Sequence, residues 1–443
     1  ASWQFAPGKR WGLFPSVSAG WRISEESFYK HSSLSDVLTN LKLRASVGQL
    51  GDDRVGIGPF DYLEGYNFRR GSYVFDGTLV TGIEPRGLPV TNISWTRSTM
   101  TNVGLDFGLW NNTLSGTIEG FYRKRTGLPA RKWDVLIPEE VAIYLPNENL
   151  NADVHTGVEG SLTYANVIGD GIQLSVGGNF TFARQRDLYT YKPRFGNSWD
   201  EYRTSIEDRW AFLNWGYQVI GQFKSQEEID NYPVDIDGRN NTTLLPGDFI
   251  YKDVNGDGII TSLDERPIGY RQGALPYLNF GFNTYTAYKG FDLALNFAGA
   301  AFASYTRNWE MRIPFQNNAN SPAYMFEDRW HRKDIFDPNS EWVPGTYPAL
   351  RKGLAGHSNM RHNDFWTENV HYLRLENVEL GYTLPKTLID RFSIDRMRIY
   401  ASAANLFSLD NMKKYGIDPE VASDNGLQYP QTRMVSLGVT LGF

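Results

Sequence analysis

The sequence predicts an all-β protein: an antiparallel transmembrane β-barrel of which these 443 residues supply about 11–12 strands. Three observations lead there. Many segments alternate apolar and polar residues with period two, their connections alternate between very short and very long, and aromatic residues gather at the short-turn ends.

The last strand shows the alternation best. From Val435 to Phe443 the odd positions are Val435, Leu437, Val439, Leu441 and Phe443, and the even ones are Ser436, Gly438, Thr440 and Gly442. The same pattern recurs in Ile172, Leu174 and Val176 through Phe182, in Val103, Leu105, Phe107 and Leu109, and in Leu278, Phe280 and Phe282. Strands are expected near 11–24, 40–50, 97–110, 113–127, 155–166, 171–186, 277–288, 291–303, 369–384, 396–407 and 431–443, with Ala1 to Ala6 as the tail of another. Between Tyr372 and Leu384 the apolar phase changes, because Leu373 and Leu375 fall on one phase and Val378, Leu380 and Tyr382 on the other. A β-bulge near Glu376-Asn377 reconciles them.

Alternation alone also fits a large soluble sheet with one wet face. The connections decide between the two. Asn111-Asn112, Asn166 to Asp170 and Lys289-Gly290 are tight turns, and 25–39 and 385–395 are modest, the first with room for a short helix. The segments 51–96, 128–154, 187–276, 304–368 and 408–430 are far longer than ordinary loops. Short turns on one side and long loops on the other is the layout of outer-membrane barrels, periplasmic and extracellular respectively. Trp21, Trp110, Tyr164, Tyr288, Phe291, Tyr382 and Phe443 stand at the short-turn ends, where a periplasmic aromatic belt would meet the headgroups.

Composition is consistent with this and excludes other classes. The chain is 14% aromatic with 43 glycines and no cysteine, so neither a disulfide framework nor a thiolate metal site exists. Lys+Arg number 44 against 50 Asp+Glu, a net charge of -6, and no basic field is available for nucleic acid. Mean hydropathy is -0.43 and no run approaches the ~18 apolar residues of a spanning helix, but a spanning strand shows lipid only every second residue. The opening ASWQFAPGKR has no signal-peptide organisation, so Ala1 reads as an internal start.

The strand count ends on the short-turn side and begins on the long-loop side. Because an unpaired backbone group in hydrocarbon costs on the order of 2–7 kcal/mol, a second chain or an N-terminal portion is expected to pair with the 1–6 and 431–443 strands.

One loop has calcium-loop spacing. Asp253, Asn255, Asp257 and Gly258 spell D-x-N-x-D-G, with the Ile259 carbonyl at position 7, Thr261 at position 9 and Asp264 at position 12. Asp replaces the usual bidentate Glu, no flanking helices are evident, and Glu265 follows as a competing carboxylate, so the loop reads as a stand-alone, dockerin-like calcium site. An ion-free Asx-Gly turn is the alternative. The long loops also carry Trp199, Tyr202, Trp210, Trp215 and Trp309, expected to pack within the loops or to meet a partner or substrate.

A case for catalysis is poor. His31, His155, His331, His357, His362 and His371 show no H-E-x-x-H spacing, and neither a G-x-S-x-G elbow nor a phosphate-cradling loop is present. The pairs Glu139-Glu140 and Glu227-Glu228 read as solvated loop residues. Lys42, Arg44, Asp106, Glu119 and Arg123 fall on the polar phase of their strands, where pairing or contact with material inside a barrel is expected.

The stretches FPSVSAGWRISEE (14–26), LKLRASVGQLGDD (41–53), WTRSTMTNVGLDFGLWNNTLSGTIEGFYRKRTGL (95–128), GDFIYKDVNGDGIITSLDE (247–265), YLRLENVELGYTLP (372–385) and RIYASAANLF (398–407) resemble the C-terminal half of SusC/RagA-type TonB-dependent transporters. That resemblance implies a multi-pass protein of a Gram-negative outer membrane, with a 22-stranded barrel whose last strand is this chain's last. It also implies an N-terminal plug and first barrel half, coupling to the TonB-ExbB-ExbD system, a SusD-like surface lipoprotein as lid, and oligosaccharides or peptides as substrates. A surface glycan-binding or adhesion barrel without active transport is the alternative function.

Overall fold

The computed structural model describes Ala1 to Phe443 except residues 133, 139, 141, 142, 271–274, 422–424 and 430. The chain forms two compact units, Ala1–Leu162 with Phe182–Ala211, and Thr163–Thr181 with Phe212–Phe443.

The first unit contains β1 (Ser16–Arg22), β2 (Leu38–Asp52), β3 (Tyr66–Phe75), β4 (Thr78–Pro85), β5 (Thr96–Leu109), β6 (Leu114–Ala130), most of β7 (Glu148–Ile168), the end of β8 (Ile172–Tyr189) and β9 (Arg209–Trp210). Its sheet runs in the order β1-β2-β5-β6-β7-β8, with β9 on β8, while β3 and β4 form a hairpin of their own. β2 and β5 pair without a break from Asn40↔Gly108 to Asp52↔Thr96, and β5 and β6 from Leu109↔Leu114 to Arg97↔Thr126. Register is fixed because a one-residue slip would move every apolar side chain to the polar face.

The polar face of this unit is laced with charge pairs. Lys42 Nζ lies 3.9 Å from Asp106, Arg44 Nε donates to Asp106 at 3.0 Å, and Arg44 also pairs with Glu119. Arg125 Nε donates to the buried Asp153 at 2.8 Å, and Arg123 shares that face. Gly104 lies beside Arg44, where a Cβ would sit 2.9 Å from the guanidinium carbon. The small residues of the polar phase therefore make room for long cationic ones.

In the second unit β10 (Trp215–Gly216), β11 (Val219–Gln222), β12 (Phe249–Tyr251), β13 (Arg266–Pro267), β16 (His331–Arg332) and β17 (Trp342–Val343) are short. The long strands are β14 (Leu278–Tyr288), β15 (Phe291–Thr306), β18 (Thr367–Thr383), β19 (Arg396–Asp410) and β20 (Met434–Gly442). They follow the first part of β8 in the order β14-β15-β18-β19-β20. From β14 to β20 each long strand pairs antiparallel with the next. Leu437 is 84% exposed and its alternating neighbours Val435 and Val439 are also exposed, as a lipid-facing surface requires. On the opposite face Arg398 Nε donates to Asp292 at 3.0 Å and Nη2 to Glu379 at 2.6 Å.

The expected bulge is present: Asn296 faces Asn377 and Phe297 faces Leu375, so Glu376 is the extra residue. It returns Leu373 and Leu375 to the phase of Val378 and Leu380. The tight turns follow their sequence chemistry. Lys289 and Gly290 both have positive φ (46° and 87°), as a two-residue hairpin needs. Trp110, Asn111 and Asn112 are all left-handed, a conformation Asn tolerates better than most residues. The modest connection after β1 holds a one-turn helix, Ser27–Lys30.

Two expectations at the start of the chain are corrected. Ala1 to Ala6 is not a strand: Phe5 is buried with Val55 and Ile93, its ring edge-on to Trp95 at 5.4 Å, and Ser2 N–H bonds to the Arg10 carbonyl across a turn at Pro7-Gly8. β1 begins at Ser16 rather than near residue 11, because Pro15 brings no N–H to the ladder and only accepts, from Gln49 at 2.9 Å. The 128–154 loop is also shorter than expected, since β6 extends to Ala130 and β7 starts at Glu148.

Candidate functional site in the long connections

The connections 212–270 and 307–366 fold together into a module of the second unit, on the long-loop side of its strands. Its core unites Phe223, Ile229, Phe249, Tyr251, Met325 and Trp366, the last with no exposed surface. The backbone joins the two segments: Tyr217 N–H donates to the His362 carbonyl at 2.9 Å, and Asp364 N–H to the Tyr217 carbonyl at 3.2 Å. Tyr251 OH donates to the Ser358 carbonyl at 2.7 Å and Trp366 Nε1 to the Asn359 carbonyl at 2.7 Å. These are long-range pairings between loops, which no local periodicity announces.

Asp248 is the polar centre of the module. Fully buried, it accepts from Arg351 Nη2 at 2.6 Å, Asn359 Nδ2 at 2.7 Å and Leu245 N–H at 2.9 Å, with His357 Nε2 3.7 Å away. Burial holds the His357 pKa below the usual imidazole range, against the pull of the Asp248 charge and with the push of Arg351. A second carboxylate, Asp237, fastens a turn by accepting from the N–H groups of Arg239, Asn241 and Thr243 and from the Thr243 hydroxyl at 2.6 Å. Burial pushes its pKa up, but these bonds outweigh it and hold the group at about 2.

Arg307 stands where β15 enters the module. It is 1% exposed, its N–H extends the β15–β18 ladder to the Trp366 carbonyl at 2.9 Å, and Nη2 donates to the Phe365 carbonyl at 2.8 Å. Its guanidinium lies 4.5 Å from the Tyr415 ring centre, 4.8 Å from Trp366 and 5.7 Å from Tyr347, with Glu368 3.6 Å away. Tyr415 OH in turn bonds to Glu368. A planar cation suits this box of ring faces.

In the loop with calcium-type spacing, Asp253 accepts from Gly256 N–H at 2.7 Å and Gly258 N–H at 2.9 Å, while Asp264 accepts from Val254 N–H at 2.9 Å and Thr261 N–H at 2.8 Å. Asn255 and Asp257 bond each other at 2.8 Å, and Ile259 N–H bonds to Asp257 at 3.0 Å. Thr261 and Asp264 form a capping box around the short helix Ser262–Asp264. Among the described residues no group of three or more His, Asp or Glu side chains is arranged to hold a metal ion. The residues available to an ion are Asp253, Asn255, Asp257, Thr261, Asp264 and the Ile259 carbonyl.

The five candidate contact aromatics divide between the two units. Trp199 and Tyr202 share the helix Ser198–Thr204 with ring centres 5.4 Å apart. Trp210, on β9, lies under the Arg184 guanidinium at 4.1 Å on the apolar face of the first unit. In the second unit Trp215 pairs with Pro267 in the short β10–β13 ladder, while Trp309 is 50% exposed. Of the belt residues, Trp21, Trp110, Phe291 and Phe443 are exposed at short-turn ends, the Phe291 and Tyr382 ring centres lie 4.5 Å apart, Tyr288 is the last residue of β14, and Tyr164 precedes the end of β7 at Ile168. Glu228 belongs to a helix start, accepting from Lys224 N–H at 2.6 Å while Ser225 caps its own N–H. Glu139 lies outside the described residues.

No family model matches the chain. Individual relatives do. The TonB-dependent receptor SusC of Bacteroides thetaiotaomicron is 27% identical, covering 99% of this chain and 41% of that protein. The TonB-dependent receptor P26 of Formosa agariphila is 26% identical, covering 99% of this chain and 43% of its own length. In fold, the RagAB peptide importer in its open-open state superposes with a TM-score of 0.72 at 21% identity, over 100% of this chain and 44% of that one. The chain is SusC/RagA-like. It corresponds to the C-terminal half of such a transporter, and it spans less than half the length of the relatives it matches. The closed-closed RagAB state superposes equally well, at 0.71. The SusC/RagA-like chain is thus an outer-membrane β-barrel protein, and its relatives are receptors and transporters rather than enzymes.

Proposed function

We propose that this chain works in TonB-dependent import across the outer membrane, taking up oligosaccharides or peptides under a SusD-like lipoprotein lid. The observation that supports this reading is the match of 99% of the chain to TonB-dependent receptors, SusC among them. In this reading further barrel strands pair with the edges β1 and β20, a plug fills the barrel, and TonB-ExbB-ExbD supplies the energy. The module around Asp248 and Arg307 then gives the extracellular side a rigid surface against which lid and substrate can close. Uptake of labelled oligosaccharides and peptides by cells expressing the full-length protein is the test. Internalisation of one class that falls to background when TonB is deleted is the expected result. Surface binding with equal internalisation in both strains would instead favour a glycan-binding or adhesion barrel.

For the 253–264 loop we propose calcium as an accessory, structural ion, supported by the oxygen spacing and the Gly258 turn. An affinity on the order of 10⁻⁴ M or weaker suits extracellular calcium. Amides of this loop in the full-length protein are expected to exchange more slowly with hydrogen isotope in millimolar calcium than in chelator. Equal exchange in both conditions leaves the ion-free Asx-Gly turn as the better account.

A further inference from the structure

We propose that the lipid-facing wall of the first unit carries a binding groove for a phosphorylated glycolipid of the outer leaflet. The groove has a volume of about 550 Å³. It is lined by Val103, Tyr122, Val158, Phe182 and Trp210, with Arg184 at one end. Gly120 sits on its floor, where a Cβ would meet nothing within 4 Å, so the strand leaves a notch between Ile118 and Tyr122. An extended acyl chain is the shape that fills such a notch, and lipid is what the outward face of a barrel meets.

The charge above the groove selects the headgroup. On the polar face Arg125 and Gln185 both bond to Asp153, at 2.8 and 3.2 Å, which aligns β6, β7 and β8 side by side. One residue back on β6 and β8, and one forward on β7, the lipid-facing phase presents Lys124, Arg184 and Val154 at one level. Lys124 and Arg184 are thus two strand spacings apart, about 10 Å. Lys124 is exposed, and the Arg184 guanidinium lies 4.1 Å from the Trp210 ring centre. Lys124, at the same level as Arg184, stands about 10 residues along β6 from Leu114 at the short turn, a rise of roughly 25 Å for a tilted strand, at the edge of an apolar band about 25 Å tall. A pair of cations at headgroup depth above an apolar notch complements a phosphate carried on acylated sugar. This inference rests on the membrane location and not on import.

The test uses full-length protein in nanodiscs of phosphatidylcholine, titrated with monophosphoryl lipid A, with its dephosphorylated counterpart and with inorganic phosphate. Heat-modifiable gel mobility confirms that each variant is folded. Wild-type protein is expected to bind the phosphorylated lipid about 10-fold or more tightly than the dephosphorylated one. The K124Q/R184Q double variant is expected to lose that preference. Gly120→Leu, which fills the notch and leaves both cations, is expected to weaken both lipids alike. Equal affinity for the two lipids in wild-type protein, full competition by inorganic phosphate, or no effect of either variant would overturn the proposal.

Discussion

Replacing Arg307 by alanine is expected to destabilise the 212–270/307–366 module by about 3–5 kcal/mol, the range for removing one partner of a buried charge pair, while the long strands stay folded. The loss has two sources. Glu368 and the Phe365 carbonyl each lose a cationic partner, and the rings of Tyr415, Trp366 and Tyr347 close on an empty space. Arg307→Lys keeps the charge but not the flat face that stacks between rings, so it is expected to recover only part of the stability. Arg307→Met keeps the volume without the charge, and separates packing from electrostatics. Hydrogen exchange on the full-length protein in detergent reads the outcome: module amides should accelerate in the alanine variant while those of Phe291 to Phe297 in β15 do not. Unchanged module exchange in that variant would mean the aromatic box holds together without its cation.

The membrane strands were legible in the sequence because their physics is local. Lipid on one side and polar groups on the other impose period two, and the phase change at Leu375 and Val378 located the Glu376 bulge. The charge pairs of Arg44 with Asp106 and Glu119 were foreshadowed by phase alone. The start of the chain misled for a comparably local reason. Alternation in a short run cannot weigh Pro7, Gly8 and Pro15, which break the ladder, against the pull of Phe5 into a buried cluster.

The loop module was not legible. Residues 248 and 359 are far apart in sequence, and nothing in GDFIY or HSNM signals that a fully buried carboxylate on one meets an amide on the other. Trp366, the largest side chain buried there, precedes β18 and passes for another interfacial aromatic. The one available hint was the combination of length and composition: loops of this size that carry many aromatics have enough apolar surface for a core of their own. That hint says a core exists and leaves its partners open. The same limit applies to Trp199, Tyr202, Trp210, Trp215 and Trp309, whose residue type suggested contact and whose positions differ from one another.

Asp248→Ala is expected to cost the module about 3–5 kcal/mol as well, because it leaves Arg351 and Asn359 with unmatched donors at a buried site. This substitution also changes the pH response, which Arg307→Ala does not. In the wild type burial keeps the folded His357 pKa low, whereas the unfolded chain takes up that proton near the ordinary pKa of about 6.5. The unfolded state therefore binds more protons in the window below about pH 6.5, and stability falls as pH falls through it. The Asp248 charge opposes that shift, so removing it lowers the folded His357 pKa further and widens the window of acid sensitivity. Protease resistance of the module in the full-length protein, titrated with urea at pH 7.5 and pH 5.5, measures both effects. The alanine variant should show a lower midpoint at pH 7.5 and a larger further drop at pH 5.5. Adding His357→Gln should remove most of that extra drop, since no imidazole is left to titrate. If the drop persists in the double variant, another group governs the acid response and the Asp248–His357 coupling is not its source.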